Sequence, residues 1–175
     1  MKKVTVTFFF ALLAIVAFAQ DTKKDQRIVE DSEEAKAAFL KDDPSMESFF
    51  DSSYGYIILP NVGKGGLGIG GASGNGVAYQ GGGKVGYARM TQVTIGFQAG
   101  GQAYSEVVFF ENKEAFDRFK NSKVEMSAQV SAVAAASGAS LNAKYVEGVA
   151  VFTRTKGGLM YEASVGGQQF KFREN

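Results

Sequence analysis

YGYIILPNVGKGGLGIGG, residues 54–71, changes the hydrophobic period of the chain from helical to strand-like. Tyr56-Ile57-Ile58-Leu59 reads as a short buried strand that Pro60 ends. Gly66-Leu67-Gly68-Ile69-Gly70 then alternates glycine with large apolar residues, so one face of that strand is bare and something must pack closely against it. Working outward, Ser73-Gly74-Asn75-Gly76 predicts a hairpin turn, Val77 to Gln80 its return strand, and Gly81-Gly82-Gly83 a second turn. A meander of short antiparallel strands is expected beyond it. Val93, Ile95, Phe97 and Ala99 alternate with Thr94, Gly96, Gln98 and Gly100, and Tyr104 to Phe110 forms a more buried strand.

Upstream, Ile28, Ala35, Ala38 and Phe39 recur at helical spacing, which predicts a helix over 28–41 stopped by Asp42, Asp43 and Pro44. Asp43-Pro44-Ser45 offers a capped restart, and Met46, Phe49 and Phe50 give a short second helix. Downstream, Asn112 can cap a third helix through Lys120, with Ala115, Phe116 and Phe119 on one face. Residues 123–132 return to a period of two. Val149 to Phe152 with Lys156-Gly157-Gly158 and Leu159 to Tyr161 reads as a terminal hairpin, extended by Phe170 and Phe172. With no βαβ alternation, the pattern predicts an α+β fold: an antiparallel sheet or partly closed β-barrel of short Gly-rich strands, with about three helices packed against it.

Lys2 and Lys3, an apolar run over 4–16 and Ala17-Phe18-Ala19 have the layout of a secretory signal peptide over 1–19. A flexible leader over 20–27 and one domain over 28–175 would follow, placing the protein in the periplasm or outside the cell. Removing 1–19 leaves 17 basic against 18 acidic residues, a net charge of −1, so electrostatic binding must come from a local patch. The 175 residues contain no His and no Cys. Imidazole bases, thiolate nucleophiles, disulfides and sites needing imidazole or thiolate ligands are thereby excluded. Glu106 and Glu162 are available carboxylates, but nothing else points to catalysis; a non-enzyme without a cofactor or metal is expected.

Gly63-Lys64-Gly65-Gly66-Leu67-Gly68 matches the dinucleotide fingerprint by letter, yet it runs on as a strand where that motif needs a helix start. Gly83-Lys84 lacks the hydroxyl residue of a P-loop. The informative set is basic. Lys64, Lys84, Arg89, Lys144, Arg154 and Lys156 all fall in or beside Gly-rich connections, where backbone N–H groups could help hold phosphate.

Residues 49–172 resemble the SYLF, or lipid-binding SYLF domain, family. The resemblance rests on Phe50, Tyr54-Gly55-Tyr56 through Pro60, Gly63-Lys64-Gly65-Gly66, Gly76-Val77, Thr91-Gln92-Val93, the GFQAGGQ run of 96–102, Tyr104-Ser105-Glu106, Phe116, Phe119 and the KGGLM run of 156–160. It implies a lipid-binding domain of the secreted bacterial kind. The eukaryotic branch implies phosphoinositide membranes and, in some members, actin, but its Trp-Ser-x-Pro segment has no counterpart around Lys84 to Tyr87. The expectation is therefore an exported domain meeting anionic phospholipid head groups through the six basic residues. A protein-interaction or structural module of the cell envelope is the alternative, and nucleic acid is not an expected partner.

Overall fold

The computed structural model describes residues 23–121, 132–158 and 167–175, with side chains left aside at 67–69, 94–99, 132 and 158. The signal peptide, the alternation over 123–131, Glu162 and the 159–161 part of the terminal hairpin lie outside the described residues.

Helix α1 covers 23–42, so residues 23–27, read as leader, are helical. Ser32, Ala35 and Phe39 are buried along one stripe of it. A 3-10 turn, Pro44–Met46, leads into α2, Glu47–Ser52. Asp43 holds that corner. Fully buried, it accepts hydrogen bonds from Ser45 N (3.2 Å), Gly138 N (3.1 Å), Ser140 N (2.8 Å) and the Ser45 hydroxyl, tying the corner to the 3-10 turn Ala139–Asn142. Burial pushes its pKa up, but these donors more than compensate and hold it at about 2.

The sheet is built on one long hairpin, β1 (Gly55–Gln80) and β2 (Gly83–Phe110), paired antiparallel from Gly55↔Phe110 to Gln80↔Gly83. Its turn is the predicted Gly81-Gly82, at φ 56° and 79°, values that suit glycine. Pro60 does not end the strand; β1 passes it with a register shift between Leu59 and Val62. The expected turn at Ser73–Gly76 is also absent, because those residues run through the middle of β1. A Cβ at Gly76 would stand 2.1 Å from the Ile58 carbonyl oxygen, and one at Gly74 2.8 Å from Val62 Cγ2. These glycines serve a close approach, in which the second half of β1 lies against its own first half.

The hairpin is therefore folded over into two leaves. In leaf one, the end of β2 pairs with β4 (Val149–Gly158), which takes β3 (Ala132–Ala134) as a parallel neighbour. In leaf two, the start of β2 pairs with β5 (Gln168–Glu174), from Gly86↔Glu174 to Gln92↔Gln168. Phe170 and Phe172 thus extend leaf two and not a hairpin with β4. The fold is α+β with a mostly antiparallel sheet of seven strand segments, not closed into a barrel.

Leaf one is buried on both faces, which explains the unbroken apolar run at 56–59. One face packs Tyr56, Ile58, Phe109 and Phe152 under α1 and α2, with Phe39, Met46 and Phe50. The other packs Ile57, Leu59, Val108 and Phe110 against leaf two and against α3, Lys113–Lys120, whose Phe116 and Phe119 fill that end of the interior. Asn112 caps α3 as predicted, accepting from Ala115 N at 3.0 Å.

Candidate functional site

Two polar regions stand out, one inside the fold and one on it. Along β2, Tyr104, Glu106, Val108 and Phe110 share the inward face. The interior is aromatic at the α3 end and turns polar toward the glycine-rich bend, where Lys64 follows Val62 on β1 and Gln168 precedes Phe170 on β5. Glu106 and Gln168 are fully buried, and Lys64 is 5% exposed. Gln168 Nε2 donates to Glu106 Oε2 at 3.0 Å, while Lys64 Nζ, Glu106 Oε1 and Gln168 Oε1 have no hydrogen-bond partner among the described residues. Burial raises the Glu106 pKa to about 7 against the opposing pull of the Gln168 bond and the Lys64 charge. An orphaned buried polar group costs about 1–3 kcal/mol, so three together are expensive to keep.

The outer face of leaf two is cationic. Asn75, Arg89 and Lys171 stand in one row across β1, β2 and β5, all exposed. Arg89 and Lys171 oppose each other directly, and neither has an ion-pair partner among the described residues. Like charges so placed destabilise a sheet. Beside them a groove of about 370 Å³ runs between the start of α1 and β5, lined by Lys24, Asp25, Tyr87, Arg89, Lys171 and Arg173 among others. Arg173 donates twice to Asp25 (2.8 and 2.7 Å) and lies 4.4 Å from the centre of the Tyr87 ring. Lys84 Nζ covers the same ring at 4.6 Å and donates to its hydroxyl at 3.0 Å. Val93, 70% exposed, lies on the same face of β2 four residues beyond Arg89, about 13 Å along the strand.

The six residues singled out by sequence do not converge. Lys84 and Arg89 belong to leaf two. Lys64 points inward, because it lies in a strand at an inward position and not in a loop. Arg154 is half-buried and bonds Asp42 at 2.5 Å, and Lys156 donates to Asn61 Oδ1 at 2.9 Å, both on leaf one. Lys144 is exposed on the connection into β4. Sequence reasoning missed Lys24, Lys171 and Arg173. The signal for the last two was available: in Phe170-Lys171-Phe172-Arg173 the cations alternate with aromatics, the mark of a strand with one wet face.

The folded-over hairpin, with one leaf covered by helices and a second that sends Val77 and Tyr79 under α1 while turning a cationic row to water, defines an α+β module with a charged outer surface. Residues 91–175, just under half the chain, match the family described as "Ysc84: Las17-binding protein actin regulator". The chain is also 31% identical over 152 residues, 85% of its length, to beta cell expansion factor A of Aeromonas veronii, and spans 58% of that relative's length. Both matches agree with the resemblance of this chain to the SYLF family. That similarity supports a domain of the lipid-binding or actin-regulator kind.

Proposed function

We propose that this is an exported, non-enzymatic module of the cell envelope that binds anionic phospholipid surfaces through the outer face of leaf two. The observation that carries this reading is the Asn75–Arg89–Lys171 row, an opposed pair of cations without a counter-ion among the described residues. Phosphate groups laid across that row would relieve the repulsion. Lys24, Lys84 and Arg173 widen the patch, each well-placed cation being worth about 1 kcal/mol at an anionic surface. Val93 is an apolar group that could enter the head-group layer beside them. The row offers charge to any anionic head group, with no side chains arranged around a sugar or inositol.

Flotation with vesicles of anionic or neutral composition, at low and high salt, tests it. Binding to anionic vesicles alone, reversed by salt that shortens the screening length to a few Å, is the expected result. Equal binding to neutral vesicles, or no binding at low salt, contradicts it. The matched family's description as a Las17-binding actin regulator supports a second reading, a protein-interaction module. Recovery of a specific protein by crosslinking, with flat vesicle titrations, would favour that reading.

A further inference from the structure

The buried polar group at the bend of the hairpin has no part in a surface reaction with lipid. Three of its atoms, from Lys64, Glu106 and Gln168, form a defined demand: the Lys64 ammonium needs an acceptor, and Glu106 Oε1 and Gln168 Oε1 each need a donor. They come from three strands, β1, β2 and β5, and so hold fixed positions across the two leaves. Lys64 and Glu106 form no ion pair among the described residues, yet the lysine's charge reaches the carboxylate. Gln92, buried and in register with Gln168, stands beside them, and Tyr104 flanks Glu106 on the same face of β2.

We propose that this cradle binds a small vicinal diol, glycerol or a polyol of similar size. Counting donors and acceptors selects this class. One hydroxyl oxygen accepts from Lys64 Nζ, and the two adjacent hydroxyl hydrogens reach Glu106 Oε1 and Gln168 Oε1. A diol is neutral, so it leaves the Lys64 and Glu106 charges balanced. A carboxylate would satisfy Lys64 but place a second negative oxygen against Glu106 and leave Gln168 without a donor. A simple ammonium would satisfy both oxygens and repel Lys64. The source is either a free polyol or the diol end of a larger head group, and both present the same chemistry to the cradle.

The test follows side-chain amide and methionine methyl resonances of the full chain by NMR while 1,2-propanediol or 1,3-propanediol is added. Saturable shifts at the Gln168 amide and the Met90 methyl with the 1,2-isomer, and none with the 1,3-isomer, are expected. Glycerol and vesicles of phosphatidylglycerol, added separately, distinguish a free polyol from a head group. Lys64→Gln should weaken the response to the 1,2-isomer by about tenfold, the loss of one charged hydrogen bond. Gln168→Leu is the second variant, should Lys64→Gln alter the fold as read by circular dichroism. Identical responses to the two isomers, no saturable shift with either, saturation by glycine in their place, or full retention of binding in both folded variants would each overturn the proposal.

Discussion

Leaf one and leaf two are made from the same two strands, yet one behaves as a core and the other as a surface. In leaf one, Ile57, Ile58, Val107, Val108, Phe109 and Phe110 are all fully buried, because helices cover one face and leaf two the other. In leaf two, Ala88, Met90 and Phe170 are buried while Arg89 and Lys171 between them are exposed. Leaf one carries the stability of the domain, and leaf two offers a wet face that can change without unfolding it. The difference lies in what covers each leaf, and the glycines let one hairpin supply both.

The sharpest way to break the arrangement is at the contact between the halves of β1. Gly76→Ala places a Cβ 2.1 Å from a backbone oxygen, which no rotamer change relieves. It should cost about 3 kcal/mol or more, read as a lowered urea midpoint or a failure to fold. Gly63→Ala, with open space at its Cβ, should change stability by no more than about 0.5 kcal/mol.

Next in size is the buried carboxylate between the leaves. Glu106 titrates at about 7 in the fold against an ordinary 4.5. Between those pH values the folded chain keeps a proton that the unfolded chain has released. Stability should therefore fall as pH rises from 4.5 to 7, by about 3 kcal/mol. Denaturant titrations across that range should show the slope in the native protein and lose it in Glu106→Gln.

Asp43, at the corner covering leaf one, has the opposite sign. Its carboxyl titrates at about 2 against an ordinary 3.8. The stabilisation it gives is complete above about pH 4 and lost as pH falls toward 2, amounting to about 2 kcal/mol. Asp43→Ala should remove that acid-side loss and lower stability at neutral pH by a similar amount. A small effect of favourable sign belongs to leaf two. Lys171→Glu places a carboxylate opposite Arg89 and should leave the melting temperature unchanged or slightly raised, by about 0.2–1 kcal/mol in stability.

The helices were legible in the sequence because their signals are local: Asn112 and Asp43 cap as their side-chain chemistry dictates, and the periodic apolar residues face the core. The α+β class followed from the change of period at residue 54. The turn was misplaced at Ser73–Gly76 because an Asn-Gly pair looks the same whether glycine supplies a positive φ or merely lacks a Cβ. Only the folded-over contact with Ile58 and Val62 shows that it is the second. Lys64 was misread for a related reason. Flanked by glycines it resembles a loop lysine, but the strand continues through Pro60 and turns its side chain inward. The cationic row depends on β5 pairing with the start of β2, a long-range register to which Arg89 and Lys171, 82 positions apart, give no local clue.

The most direct measurement is vesicle flotation of two charge-reversal proteins side by side, Arg89→Glu/Lys171→Glu on leaf two and Lys144→Glu/Lys156→Glu away from it. Both variants lose the same charge, so net charge cannot separate them. The first is expected to lose binding to anionic vesicles at low salt while keeping its native melting temperature, and the second to bind as before. Equal loss in both would mean that overall charge drives association, and retained binding in the first would contradict the assignment of the surface to leaf two.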